Sequence, residues 1–222
     1  LDKYDLKTGK EYEYRVEEAE NNNLNYTSEK LADSNGKMYN FKNTIKQAND
    51  VNVKITKKWI DPTGTTHPTI TINLYRDNDT TPFKTHELTN GNTEYTFEKL
   101  ERYDLTTGKE HIYRVEEATK LDDYQDPVIT NTSNTNFTIV NTIAQKQINV
   151  EVTKNWIGAP NNSNYPTITI KLHKNSKNGE IVGTKTLTNE NREATQKVTF
   201  DGLDEYDLAT GEKIKYYVTE DP

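Results

Sequence analysis

The amino-acid sequence predicts an all-β chain, built as antiparallel β-sandwiches in tandem. Three observations predict it. Apolar residues recur at every second position in many short runs, the period of a half-buried strand, and no segment sustains a helical period. Clusters of turn residues separate those runs at short intervals. The whole pattern also returns after about 100 residues, too long for a solenoid unit and suited to small tandem domains.

The repeats set the organisation. YDLKTGKEYEYRVEE begins at Tyr4, YDLTTGKEHIYRVEE at Tyr103 and YDLATGEKIKYYVTE at Tyr206, separated by 99 and then 103 residues. Trp59 in ITKKWI and Trp156 in VTKNWI are 97 apart, and Asn43 and Asn141 are 98 apart. These spacings divide the chain into units 1–46, 47–144 and 145–222, of which the middle one is complete. Leu1, Leu100 and Leu203 are equivalent positions, so the sequence is expected to open and close mid-repeat, as an excerpt from a longer array.

In the middle unit the alternation predicts seven strands: Asn52–Trp59, Thr69–Arg76, Lys84–Leu88, Glu94–Glu98, Glu110–Ala118, Val128–Asn131 and Asn136–Asn141. Ile70, Ile72 and Leu74 alternate cleanly, as do Tyr95 and Phe97. DPTGTTHP, RDNDTTP, TNGN and DLTTGK supply the turns. Only TIAQKQ separates Asn141 from Ile148, without a glycine or serine run, which predicts a stiff junction between units.

Composition narrows the function. The net charge of −7, with acids and bases intermixed, disfavours nucleic acid and anionic membrane as partners. No apolar run is long enough for a transmembrane helix. Hydrophobic residues are 31% of the chain, below the roughly 45–50% of ordinary globular domains, so the core is thin and something should supplement it. With no cysteine, disulfides cannot. His67, His86, His111 and His173 lack ligand-like spacing and are expected at the surface, with no metal or cofactor. No Ser–His–Asp set, phosphate loop or glycosidase-type carboxylate pair is visible, which argues against an enzyme.

Three polar residues of the middle unit share phase with apolar neighbours. Lys57 follows Val51, Val53 and Ile55, and Trp59 comes next in that phase; Glu117 follows Tyr113 and Val115; Asn141 follows Phe137 and Ile139. All three should point inward, while Lys58 and Glu116 point out. The other units show the same misfits: Glu18 and Asn43 in the first, Lys154 and Glu220 in the third. A buried ion pair with the amide bonded to it is one explanation, and a lysine snorkelling at a strand end is another. The third is a reaction. Burial lowers a lysine's pKa towards a neutral, nucleophilic amine and raises that of a glutamic acid, and a carboxamide beside them offers an acceptor carbon.

The residues VTKNW, YRVEEA, LYRDNDTTPFKTHELT, YDLTTGKEHIYRVEE and IVNT resemble the collagen-adhesin B-type (Cna B-type) repeats of Gram-positive surface proteins, over nearly the whole chain. The resemblance implies a seven-stranded, inverse-immunoglobulin-like sandwich with an intramolecular Lys–Asn isopeptide bond assisted by an acidic residue. Lys57 would be the amine, Asn141 the acceptor and Glu117 the catalytic acid. Lys154 and Glu220 match in the third unit, and Glu18 and Asn43 in the first, each with a partner outside the chain. IDPTGTTHP after Trp59 is shorter than the family's usual acidic stretch. The resemblance further implies a structural stalk on an extracellular, wall-anchored adhesin, whose partners are neighbouring repeats and, through another region, host matrix. The alternatives are repeats that themselves bind matrix or carbohydrate, or a pilin-type subunit.

Overall fold

The computed structural model describes residues 1–19, 25–31, 39–89, 91–158, 164–188 and 194–221. Every regular element among them is a strand. The first unit contributes β1 (Tyr26–Leu31) and β2 (Asn40–Ile45), an antiparallel pair. The middle unit holds β3 (Val51–Ile60), β4 (Ile70–Arg76), β5 (Lys84–Leu88), β6 (Glu94–Leu100), β7 (Tyr113–Glu117), β8 (Val128–Ser133) and β9 (Asn136–Thr142). The third holds β10 (Gln147–Asn155), β11 (Ile168–Lys174), β12 (Ile181–Leu187), β13 (Thr195–Asp204) and β14 (Tyr216–Asp221).

The middle unit is a two-sheet sandwich. One sheet has the order β6-β3-β9-β8, the other β5-β4-β7. The third unit repeats this as far as it goes, with β10-β13 and β12-β11-β14. Inward residues of alternating strands fill the space between sheets: Val53 and Ile55 of β3, Ile72 and Leu74 of β4, and Phe137 and Ile139 of β9 are buried. A smaller core in the third unit gathers Ile168, Ile170, Leu172, Leu187 and Phe200.

All pairings among these strands are antiparallel except one. β3 and β9, first and last in the unit, run parallel, with Lys57 opposite Ile139 and Trp59 opposite Asn141. The expected strand limits hold within two residues, apart from the start of β7. Glu110 belongs instead to the Y-D-L-T-T-G turn, which closes on itself through a Tyr103–Glu110 bridge and a Gly108 N–H bond to the Asp104 carbonyl of 2.7 Å. Tyr4–Glu11 and Tyr206–Lys213 form the corresponding bridges.

Candidate functional site

β3 and β7 enter the middle core from opposite sheets, and β9 lies beside β3. Because side chains two apart share a face, Lys57 lies diagonally from Asn141, whose register partner is Trp59. From the facing sheet β7 brings Glu117, opposite Ile72 of β4. The three polar residues are 2%, 7% and 1% exposed, as deep as the aliphatic core around them. Lys58 and Glu116 face solvent.

The Lys57 Nζ stands 3.9 Å from Glu117 Oε2, donates to its neighbour Lys58 carbonyl at 2.9 Å and lies 3.7 Å from the centre of the Trp59 ring. Asn141 Nδ2 donates to Glu117 Oε1 at 2.7 Å. Glu117 Oε2 and Asn141 Oδ1 are buried without a hydrogen-bond partner. Two acceptor atoms so placed call for a proton. Burial pulls the Lys57 ammonium down to a pKa of about 8, against the charges of Glu117 and Asp61, which pull it back up. Burial raises the Glu117 carboxyl, opposed by the Asn141 hydrogen bond and the Lys57 charge. Both groups are thus biased to their neutral forms, an amine and an acid, beside a carboxamide.

The other units hold parts of this arrangement. In the third, Lys154 Nζ meets both oxygens of Glu220 at 2.9 and 3.0 Å and lies 4.5 Å from the Trp156 ring centre. In the first, Asn43 Nδ2 donates to Glu18 Oε1 at 2.9 Å, and Ser28 donates to Oε2. Here the expected inward orientation is corrected. Glu18, Asn43 and Glu220 are exposed and Lys154 is half-buried. The cause is missing cover. Among the described residues the first unit has no counterpart of β3 and the third none of β9.

The histidines also depart from expectation, since none lies free on the surface. His173 is buried, its two ring nitrogens 3.1 Å from the Gly179 carbonyl oxygen and 2.7 Å from the Thr219 hydroxyl. His86 stacks on Tyr95 and His111 binds Asp77. His67 stacks on Trp59 at 4.3 Å and reaches Asp61 Oδ2 at 2.8 Å, where Tyr124 also donates at 2.6 Å. Asp61, His67 and Tyr124 therefore brace Trp59 against the amine. The period-two phase of Lys57 and Trp59, carried one step further, reaches Asp61; no pattern marks the two loop residues. No group of three or more His, Cys, Asp or Glu among the described residues could hold a metal ion.

The family model for the Cna protein B-type domain matches residues 53–142 and 150–222. Among solved structures the chain is similar to two B repeat units (B1B2) of the collagen binding protein (Cna) of Staphylococcus aureus, at 29% identity and a TM-score of 0.48. That match covers 100% of this chain and 55% of the other, so the chain spans about half its length. It is also similar to the pilus adhesin SpaC of Lactobacillus rhamnosus GG, at 12% identity over 83% of this chain and 25% of that one, with a TM-score of 0.36. The pilus backbone RrgB of Streptococcus pneumoniae follows at 11% identity, 82% and 62% coverage and a TM-score of 0.30. No curated protein matches the chain.

Proposed function

The chain belongs to the Cna protein B-type domain family, and from that premise we propose that it forms stalk repeats of a Gram-positive surface adhesin, stiffened by an isopeptide bond between Lys57 and Asn141. One observation carries the reading: an amine, a carboxyl and a carboxamide are buried together between the sheets, in groups whose neutral forms burial favours. In the reaction, the neutral Nζ attacks Asn141 Cγ while Glu117 polarises the carbonyl. The Nζ–Cγ bond forms, the Cγ–Nδ2 bond breaks, and a proton passes from the amine through Glu117 to Nδ2, which leaves as ammonia. Fixed proximity replaces an external enzyme, and the step happens once per molecule.

The units 1–46, 47–144 and 145–222 act as successive links, outside the cell and anchored to its wall through another part of the protein. The recognition of host matrix belongs to a separate region. Intact mass tests the chemistry. The purified chain is expected to weigh one ammonia less than its sequence, and Lys57→Ala, Glu117→Ala or Asn141→Ala each to restore the full mass. A parent chain of full mass leaves a buried Lys–Glu ion pair and removes the crosslink.

A further inference from the structure

We propose that the Y-D-L-A-T-G turn of the third unit is a coupling surface that fixes this unit on the one before it, its partner being the loop that follows Trp59. The close approach is at Gly211. A Cβ on this residue would overlap the backbone nitrogen and Cα of Asp61 and the carbonyl carbon of Ile60. Gly108, at the same place in the middle unit's turn and with a similar left-handed φ of 72° against 82°, has nothing within 4 Å of that position. The turn itself therefore sets the backbone, and the junction sets the contact.

The next residue completes the seat. The Glu212 carboxylate accepts from the Thr63 N–H at 2.9 Å and from its hydroxyl. Lys10 and Lys109 occupy this place in the other two turns, so of the three turns only this one offers Thr63 a carboxylate acceptor.

The linker beneath the seat is pinned along its length. Ile143 N–H donates to Ile60 at 2.8 Å and Ala144 N–H to Asp123 at 2.9 Å. The Gln145 amide takes both the N–H and the carbonyl of Tyr206, at 3.0 and 2.8 Å. Lys146 accepts from Glu205 N–H at 2.8 Å. The first junction has three of these four pins: Lys46 on Asn25, Gln47 on Tyr103 and Ala48 on Arg102. No described residue covers Gly108, since the first unit's equivalent of residues 61–64 falls before Leu1, so Gly108 serves as the uncovered reference for this seat. So small a contact fixes an orientation because the short linker keeps the turn and the loop at high effective concentration.

The test uses the whole chain, which has no native cysteine. Spin labels on cysteines placed at Glu98 and Lys185, both exposed, report the distance distribution between units, and hydrogen exchange of the Thr63 amide reports the seat. The parent should give one narrow distribution and a protected amide. Gly211→Ala should broaden the first and speed the second by about tenfold or more. Gly108→Ala imposes the same backbone strain in open space and should change neither. Glu212→Lys, which strains nothing, should speed Thr63 exchange while the Leu172 amide stays protected. Thr63 exchange unaltered in both Gly211→Ala and Glu212→Lys overturns the proposal. So does a distribution broadened as much by Gly108→Ala as by Gly211→Ala.

Discussion

Lys57 and Glu117 share a burial that works on them in opposite senses, and pH dependence follows from each. The crosslinking step requires the amine without its proton and the acid with it. Its rate should pass through a maximum in pH, falling on the acid side because Lys57 holds its proton and on the alkaline side because Glu117 loses its own. Mass spectra of freshly synthesised chain, taken at intervals over a pH series, would give that bell. The charge of Asp61 favours the protonated Lys57, so Asp61→Asn should raise the rate on the acid side of that maximum. Stability gives a second check, in the unreacted Glu117→Gln variant. There the folded lysine loses its proton at or below about 8, the unfolded one at 10.5. Between these values the unfolded chain binds more protons, so stability rises with pH. The urea midpoint of Glu117→Gln should climb over this window relative to the parent, whose Nζ would be an amide nitrogen under the proposed crosslink. At this scale the three buried polar residues were legible, because phase along a strand decides the face. His67 and Tyr124 were not, because loops carry no period and their contact with Trp59 spans distant parts of the chain.

Strands were legible wherever one face is buried, and the limits of β4, β5 and β9 show it. The start of β7 was not, since Glu110 alternates correctly but is held by its local turn. The bulges were also hidden. In β6 the register slips opposite Val51–Val53, and Lys99 sits there at φ 55°. Its N–H bonds to the Asn52 side chain at 3.0 Å. The same slip in β13 places Gly202 at φ 67°, bonded to Asn149 at 3.2 Å. A left-handed backbone costs an L-residue roughly 1–2 kcal/mol. Lys99 is exposed, so little packing offsets that strain. Lys99→Gly should therefore stabilise the middle unit by roughly 0.5–1 kcal/mol net, once the added freedom of the unfolded glycine is taken from the relieved strain. Chemical denaturation of the unreacted Glu117→Gln background, with and without Lys99→Gly, measures it; a loss of stability would mean that the lysine is held by contacts worth more than its strain.

The pairing of β3 with β9 joins residues about 80 positions apart in sequence, and alternation says nothing about partners so distant. Its consequence is mechanical. Force along a chain of repeats enters the middle unit at the start of β3 and leaves at the end of β9. Because these strands are parallel neighbours, that pull shears their hydrogen bonds together instead of peeling them one at a time. A Lys57–Asn141 bond adds a covalent path across the same pair. It closes a loop of 84 residues, which by chain entropy stabilises the unit by roughly 4–5 kcal/mol, or roughly 20 °C or more in Tm for a domain of this size. With that bond in place, the residues between Lys57 and Asn141 would not extend under tension. Stretched singly, the parent should show no rupture of the middle unit. Glu117→Gln, with the same strands but no crosslink, should release an additional length of about 280–300 Å, at roughly 3.3–3.6 Å for each freed residue. Equal extension in the two chains would leave the sandwich held by hydrogen bonds and packing alone, and such a stalk would lengthen under shear.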